Sequence, residues 1–103
     1  MGKYRATRVP IDLPVVVEVG TRVSECRASN ISLGGMFIAG MTLAIDAPLS
    51  VLFAAPPHLP ELRVACTARW STVEGTGVRF DDLSPADVER LAQVIRGVLA
   101  DMH

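Results

Sequence analysis

Ala28-Ser29-Asn30-Ile31-Ser32-Leu33-Gly34-Gly35-Met36-Phe37-Ile38 reads as a strand ending at Ile31, a polar turn, and a second strand starting at Met36. Consecutive glycines let the backbone take φ > 0 or approach another group closely. Asn30 and Ser32 place a carbonyl, an amide and a hydroxyl on one tight turn. Two readings fit: a hairpin whose polar residues satisfy their own backbone, or a ligand-binding loop on a rigid scaffold.

Outward from this hairpin, the pattern is all β until the last twenty residues. Arg22 to Ile31 is a polar strand suited to an edge or a solvent face. Before the Gly20-Thr21 turn, Val15, Val17 and Val19 share one face of a strand, and Pro10 and Pro14 impose an extended lead-in. After the hairpin, Met36 to Ala39 is short and Gly40 breaks it. Asp46-Ala47-Pro48 turns the chain into a fourth strand with Leu49, Val51 and Phe53 alternating. The prolines of Ala55-Pro56-Pro57-His58-Leu59-Pro60 mark a loop. Leu62, Val64, Cys66, Ala68 and Trp70 then fall on every second position, which predicts a long half-buried strand with all five on one face. Glu74-Gly75-Thr76-Gly77 reads as a turn, and Val78 and Phe80 as the sixth strand.

At Ser84 the period changes. Ser84 suits an N-cap, Pro85 the first helical position, and Asp87 a capping-box acid. Val88, Leu91, Ala92, Ile95, Val98, Leu99 and Met102 form an amphipathic stripe over about four turns, helical from about 85 to 101. Arg90, Gln93 and Arg96 lie away from it. Six short strands and one helix imply an antiparallel barrel or sandwich with a terminal lid. With 103 residues the chain supports one domain, a basic arm over 1–10 leading into a folded unit over 11–103.

The bulk numbers exclude several functions. A net charge of −1 with pI near 6.1 argues against a general polyanion binder. Few aromatics argue against a stacking platform for single strands, so no nucleic acid is expected as partner. No apolar run is long enough for a membrane span, and Cys26 and Cys66 without a partner motif suit a reducing, cytoplasmic setting. Cys and His spacing fits no zinc pattern, so no metal is expected. His58 and His103 lack positioned partners, and Asp81-Asp82 precedes a helix N-terminus, where negative charge is favourable anyway. No catalytic residue emerges, and the chain does not read as an enzyme.

What stands out is a cationic arm, Lys3, Arg5 and Arg8, beside the Asn30–Gly35 turn. Arginine binds phosphate bidentately, stacks on purines and matches the guanine edge. Asn30 and Ser32 add hydrogen-bonding groups, and Gly35 allows close approach. An ordinary solvated basic tail is the competing reading.

These residues resemble the PilZ domain family, the bacterial receptor module for cyclic di-GMP. The family carries an RxxxR arm followed by [D/N]xSxxG. Asn30-Ile31-Ser32-Leu33-Gly34-Gly35 matches the second motif in full. Trp70 and Gly77-Val78-Arg79-Phe80-Asp81-Asp82-Leu83-Ser84-Pro85 look like its last strand and helix start. In the arm, Arg8 takes the second Arg place, Tyr4 stands in the first, and Arg5 and Lys3 are nearby. The resemblance implies a six-stranded antiparallel barrel with a C-terminal helix. It also implies a cyclic di-GMP site of Arg5, Arg8, Asn30, Ser32 and Gly35, with Lys3, Tyr4 and Gly34 auxiliary. The implied function is a receptor, monomeric or homodimeric, whose changed surface is read by a downstream protein. The alternative is a degenerate member that binds no nucleotide and acts as an adaptor, related to motility or pilus assembly. For that role Met36, Phe37, Ile38, Met41 and Leu59 could form a surface patch, unless they fill the barrel.

Overall fold

The computed structural model describes residues 9–53 and 61–100, with backbone alone for 98–100. The proline-rich loop with His58 and Leu59, residues 101–103, and residues 1–8 of the basic arm lie outside the described residues, whereas Val9 and Pro10, expected in the arm, belong to the first strand. Six strands, β1 (Val9–Val19), β2 (Arg22–Ile31), β3 (Gly35–Ala39), β4 (Pro48–Phe53), β5 (Leu62–Thr72) and β6 (Gly75–Phe80), precede one helix, α1 (Pro85–Ala100). All pairings are antiparallel, and the strands close in the order β1-β2-β3-β6-β5-β4. The choice between barrel and sandwich is thus settled in favour of the barrel. The sheet closes on itself through Arg27–Ile31 of β2, while Arg22–Cys26 pair with β1 alone and form a local edge, so both parts of the expectation for this polar strand, an edge and a solvent face, are met.

Inward positions carry the hydrophobic alternation. Val15 and Val17, Leu49, Val51 and Phe53, and Leu62, Val64, Cys66 and Ala68 are all buried. Ile31, Met36 and Ile38 are fully enclosed, so of the suggested surface patch Met36 and Ile38 belong to the core and Phe37 points outward. Met41 is partly buried against the core.

β1 starts six residues earlier than its valine run suggested. Among the described residues β1 pairs with β4 only across Val16–Glu18, which leaves both Pro10 and Pro14 outside that ladder, and a bulge follows Pro10. Asp12 in that bulge is ion-paired with Arg27. The glycines expected as a turn instead lie in β6, and Val73-Glu74 turns the chain. Beyond β3, the β3–β4 loop folds across one barrel end. There the buried Thr76 hydroxyl donates to the Met41 carbonyl at 2.6 Å and accepts from Leu43 N–H at 3.0 Å. Ser71 Oγ donates to the Leu43 carbonyl at 2.6 Å.

At the other end α1 covers the barrel. Ser84 Oγ accepts from Asp87 N–H at 3.1 Å, which is the expected N-cap. The Ser84→Ala variant is expected to lose about 1 kcal/mol in urea unfolding, and an unchanged midpoint would mean the cap contributes nothing. The buried stripe centres on Leu91 and Val94, with Ile95 partly covered. Val88, expected on the stripe, is exposed, and Arg90 is half-buried. The barrel contacts the helix face one residue round from the one the apolar pattern marked.

Candidate functional site

The Asn30–Gly35 corner sits where β2 passes into β3, at the end of the barrel where β1 begins. Val9 pairs with Ile31 and Pro10 with Asn30, so the chain before Val9 joins the barrel beside this corner. Lys3, Tyr4, Arg5 and Arg8 lie outside the described residues.

Inside the corner the backbone is self-satisfied. Ser32 N–H donates to the Gly35 carbonyl at 2.8 Å, and Gly34 N–H donates to Ser32 Oγ at 3.1 Å. The Ser32 hydroxyl donates in turn to the Gly35 carbonyl at 3.4 Å, and Ser32 is buried. Phe80 N–H donates to the Gly34 carbonyl at 2.9 Å, which ties the corner to β6. The serine therefore shapes the turn. Gly35 is fixed by packing: a Cβ there would overlap the Val78 carbonyl oxygen of β6. Gly34 is exposed, and a Cβ on it meets only ordinary contact with Ser32 Oγ at 3.9 Å.

Asn30 belongs to the end of β2 rather than to the turn, and it is half-buried. A register shift between Ala28 and Asn30 turns it outward opposite Phe37. Phe37 pairs with Gly77, and Gly77 with Trp70, so one outward row crosses four strands. Trp70 corrects its sequence reading. A bulge between Ala68 and Trp70 breaks the period of two and moves the indole off the core face to 43% exposure. Its ring stacks on Phe37, centroids 5.3 Å apart and 27° from parallel. The indole lies over Gly77, where any Cβ would collide with it, and a Cβ at Gly75 would meet the Ile38 carbonyl oxygen first and the Phe37 ring next. Two glycines at alternate positions of a strand, facing aromatics, were the overlooked signal in Gly75-Thr76-Gly77.

A cation also stands at the corner. Arg79 pairs with Gly35 across β3 and β6 and is half-exposed, with Nε 3.1 Å from Asp81 Oδ1. Asp81 Oδ2 also accepts from the Thr67 hydroxyl at 2.6 Å, so this carboxylate is structural rather than half of an acid pair. Asp82 takes a left-handed φ of 44° in the connection to α1. Among the described residues no cluster of three or more His, Cys, Asp or Glu could hold a metal, and no helix is long and apolar enough to cross a membrane.

The sequence model of the PilZ domain matches residues 3–97. The chain belongs to the PilZ family. Solved PilZ structures share the fold. The PilZ domain of YcgR from Escherichia coli with c-di-GMP is 15% identical, with TM-score 0.78, over 98% of this chain and 95% of that one. The Bacillus subtilis inhibitor of motility MotI/DgrA is 16% identical, with TM-score 0.78, over 100% of this chain and 55% of its own. PlzA from Borreliella burgdorferi, in complex with c-di-GMP, is 15% identical, with TM-score 0.67, over 89% of this PilZ chain and 40% of its own. This chain therefore spans about half or less of the latter two proteins. No curated protein matches its sequence.

Proposed function

We propose that this PilZ protein is a cyclic di-GMP receptor whose liganded surface is read by a separate protein. Membership of the family supports the ligand, and two solved relatives carry it. The observation that carries the reading is the outward row from Asn30 through Phe37 to Trp70, beside the place where the basic arm meets the barrel. A purine has a flat face for the aromatic pair and a polar edge for an asparagine. Arg8 and Arg5 supply phosphate and guanine contacts from the arm, with Lys3 as a weaker point charge and Tyr4 beside them. Ser32 and Gly35 act by holding the corner's shape, with Gly34 at its exposed tip. Arm closure over the corner then changes the surface offered to a partner.

Titration calorimetry of the full chain with cyclic di-GMP tests this. Arg8→Ala should weaken binding roughly ten- to 150-fold, the loss of one charge-assisted partner. Tyr4→Arg should tighten it by restoring the first arm position. No heat with the parent protein rejects the receptor, and no effect of Tyr4→Arg rejects the alignment of the arm.

A second reading has its own support. Ser32 and Gly35 are both accounted for by turn and packing without any ligand, and the arm lacks the first Arg. On that reading the barrel is an adaptor. No thermal shift with millimolar cyclic di-GMP, together with specific capture of one partner, would select it.

A further inference from the structure

The far end of the barrel holds a cavity of about 230 Å³ that the nucleotide reading does not use. Its origin is topological. β3 ends at Ala39, opposite Arg27, so the first half of β2 has no strand on that side. The Met41–Leu43 segment crosses the gap but is drawn toward Thr76 and Ser71 by the hydrogen bonds described above. Space remains between this loop and the inward side of β1 and β2.

The lining there inverts the usual barrel pattern. Val17 pairs with Ser24 and Val19 with Arg22, so two polar β2 residues take inward register positions. Val23 between them is 64% exposed. Among the described residues neither the Arg22 guanidinium nor the Ser24 hydroxyl has a hydrogen-bond or ion-pair partner. Thr42, also at the lining, already donates to the Thr72 carbonyl at 3.3 Å. Val17, Val19, Met41 and Leu43 supply apolar walls.

We propose that this cavity binds a small carboxylate with an apolar tail, the carboxylate held by Arg22 and Ser24 and the tail enclosed by the valine and loop side chains. The guanidinium fork matches a planar two-oxygen anion, whereas phosphate would leave its charge against apolar walls. At ~30 Å³ per water-sized group, the volume takes roughly eight non-hydrogen atoms, the size of hexanoate. A free carboxylic acid and the C-terminal carboxylate of a peptide share this chemistry.

Amide-resolved NMR titration of the nucleotide-free full chain decides it, with hexanoate, hexylamine and a tripeptide ending in leucine as probes. Hexanoate should give saturable shifts confined to residues 17–24 and 41–43, and hexylamine none. Arg22→Gln, at an exposed position that does not threaten the fold, should weaken hexanoate on the order of tenfold, and Ser24→Ala by less. Stronger binding of the tripeptide assigns the site to a chain terminus, and stronger binding of hexanoate to a free acid. Equal shifts with hexylamine, unsaturable shifts, or no change on Arg22→Gln would overturn the proposal.

Discussion

Gly35→Ala is expected to destabilise the domain by about 3 kcal/mol, or roughly 15 °C in thermal midpoint for a chain of this size. The new methyl group would enter the Val78 carbonyl of the neighbouring strand. Both partners are backbone inside a closed barrel, so neither can rotate away as a side chain could. The clash moves β3 from β6 and strains the Phe80–Gly34 hydrogen bond that anchors the corner. Gly34→Ala is the internal control, because its methyl would meet only open contact, and it should change stability by no more than about 0.5 kcal/mol. Urea unfolding of both variants separates the two glycines, and equal midpoints would remove the packing explanation. Loss of nucleotide binding in Gly35→Ala would report the fold, so this motif glycine is a poor probe of ligand contact.

The second large effect is a loss of stability in alkali. Burial, and then the nearby Asp81 charge, push the Cys66 thiol from its ordinary 9.0 up to about 12. The unfolded chain ionises this thiol above pH 9 while the folded chain holds the proton. The stabilisation is complete below pH 9 and is lost between pH 9 and 12, at about 1.4 kcal/mol per pH unit. Urea unfolding at pH 8 and 10.5 should therefore differ by about 2 kcal/mol from this group alone. Cys66→Ala isolates the contribution, since Cys26, which burial also raises, remains in both proteins. The variant should start less stable because of its small cavity but fall less steeply with pH. Parallel slopes would show that Cys66 does not titrate differently in the two states.

Much of the fold was legible because one physical rule acted alone. Val15 and Val17, Leu49 to Phe53, and Leu62 to Ala68 alternate because one face meets the core and the other meets water. Ser84-Pro85 marked the helix start through capping chemistry that needs no tertiary information. The misses occurred where a second element intervened. Trp70 continues an unbroken period of two in sequence, and only the bulge beside it, opposite Gly77, turns it outward. Gly75 and Gly77 resemble a turn by composition, yet they are strand residues, Gly77 leaving room for the indole and Gly75 for the Ile38 carbonyl and the Phe37 ring. Val94 displaced Val88 from the buried stripe because the barrel determines which helix face is covered. At the site, Asn30, Ser32 and Gly35 were singled out from sequence, but the division between outward Asn30 and the shape-holding pair needed β6 in place. Arg79 was invisible as a neighbour of the corner for the same reason.

The adjacency of β3 and β6, some forty residues apart in the chain, has a bearing on biosynthesis. A nascent polypeptide that has emerged only through β4 already contains the Asn30–Gly35 motif and Phe37, yet Trp70, which stacks on Phe37, and Phe80, whose N–H anchors Gly34, have still to emerge. The corner's surroundings are therefore completed in one late step, when the final strand slots between two earlier ones, and prematurely terminated products carry the motif without them.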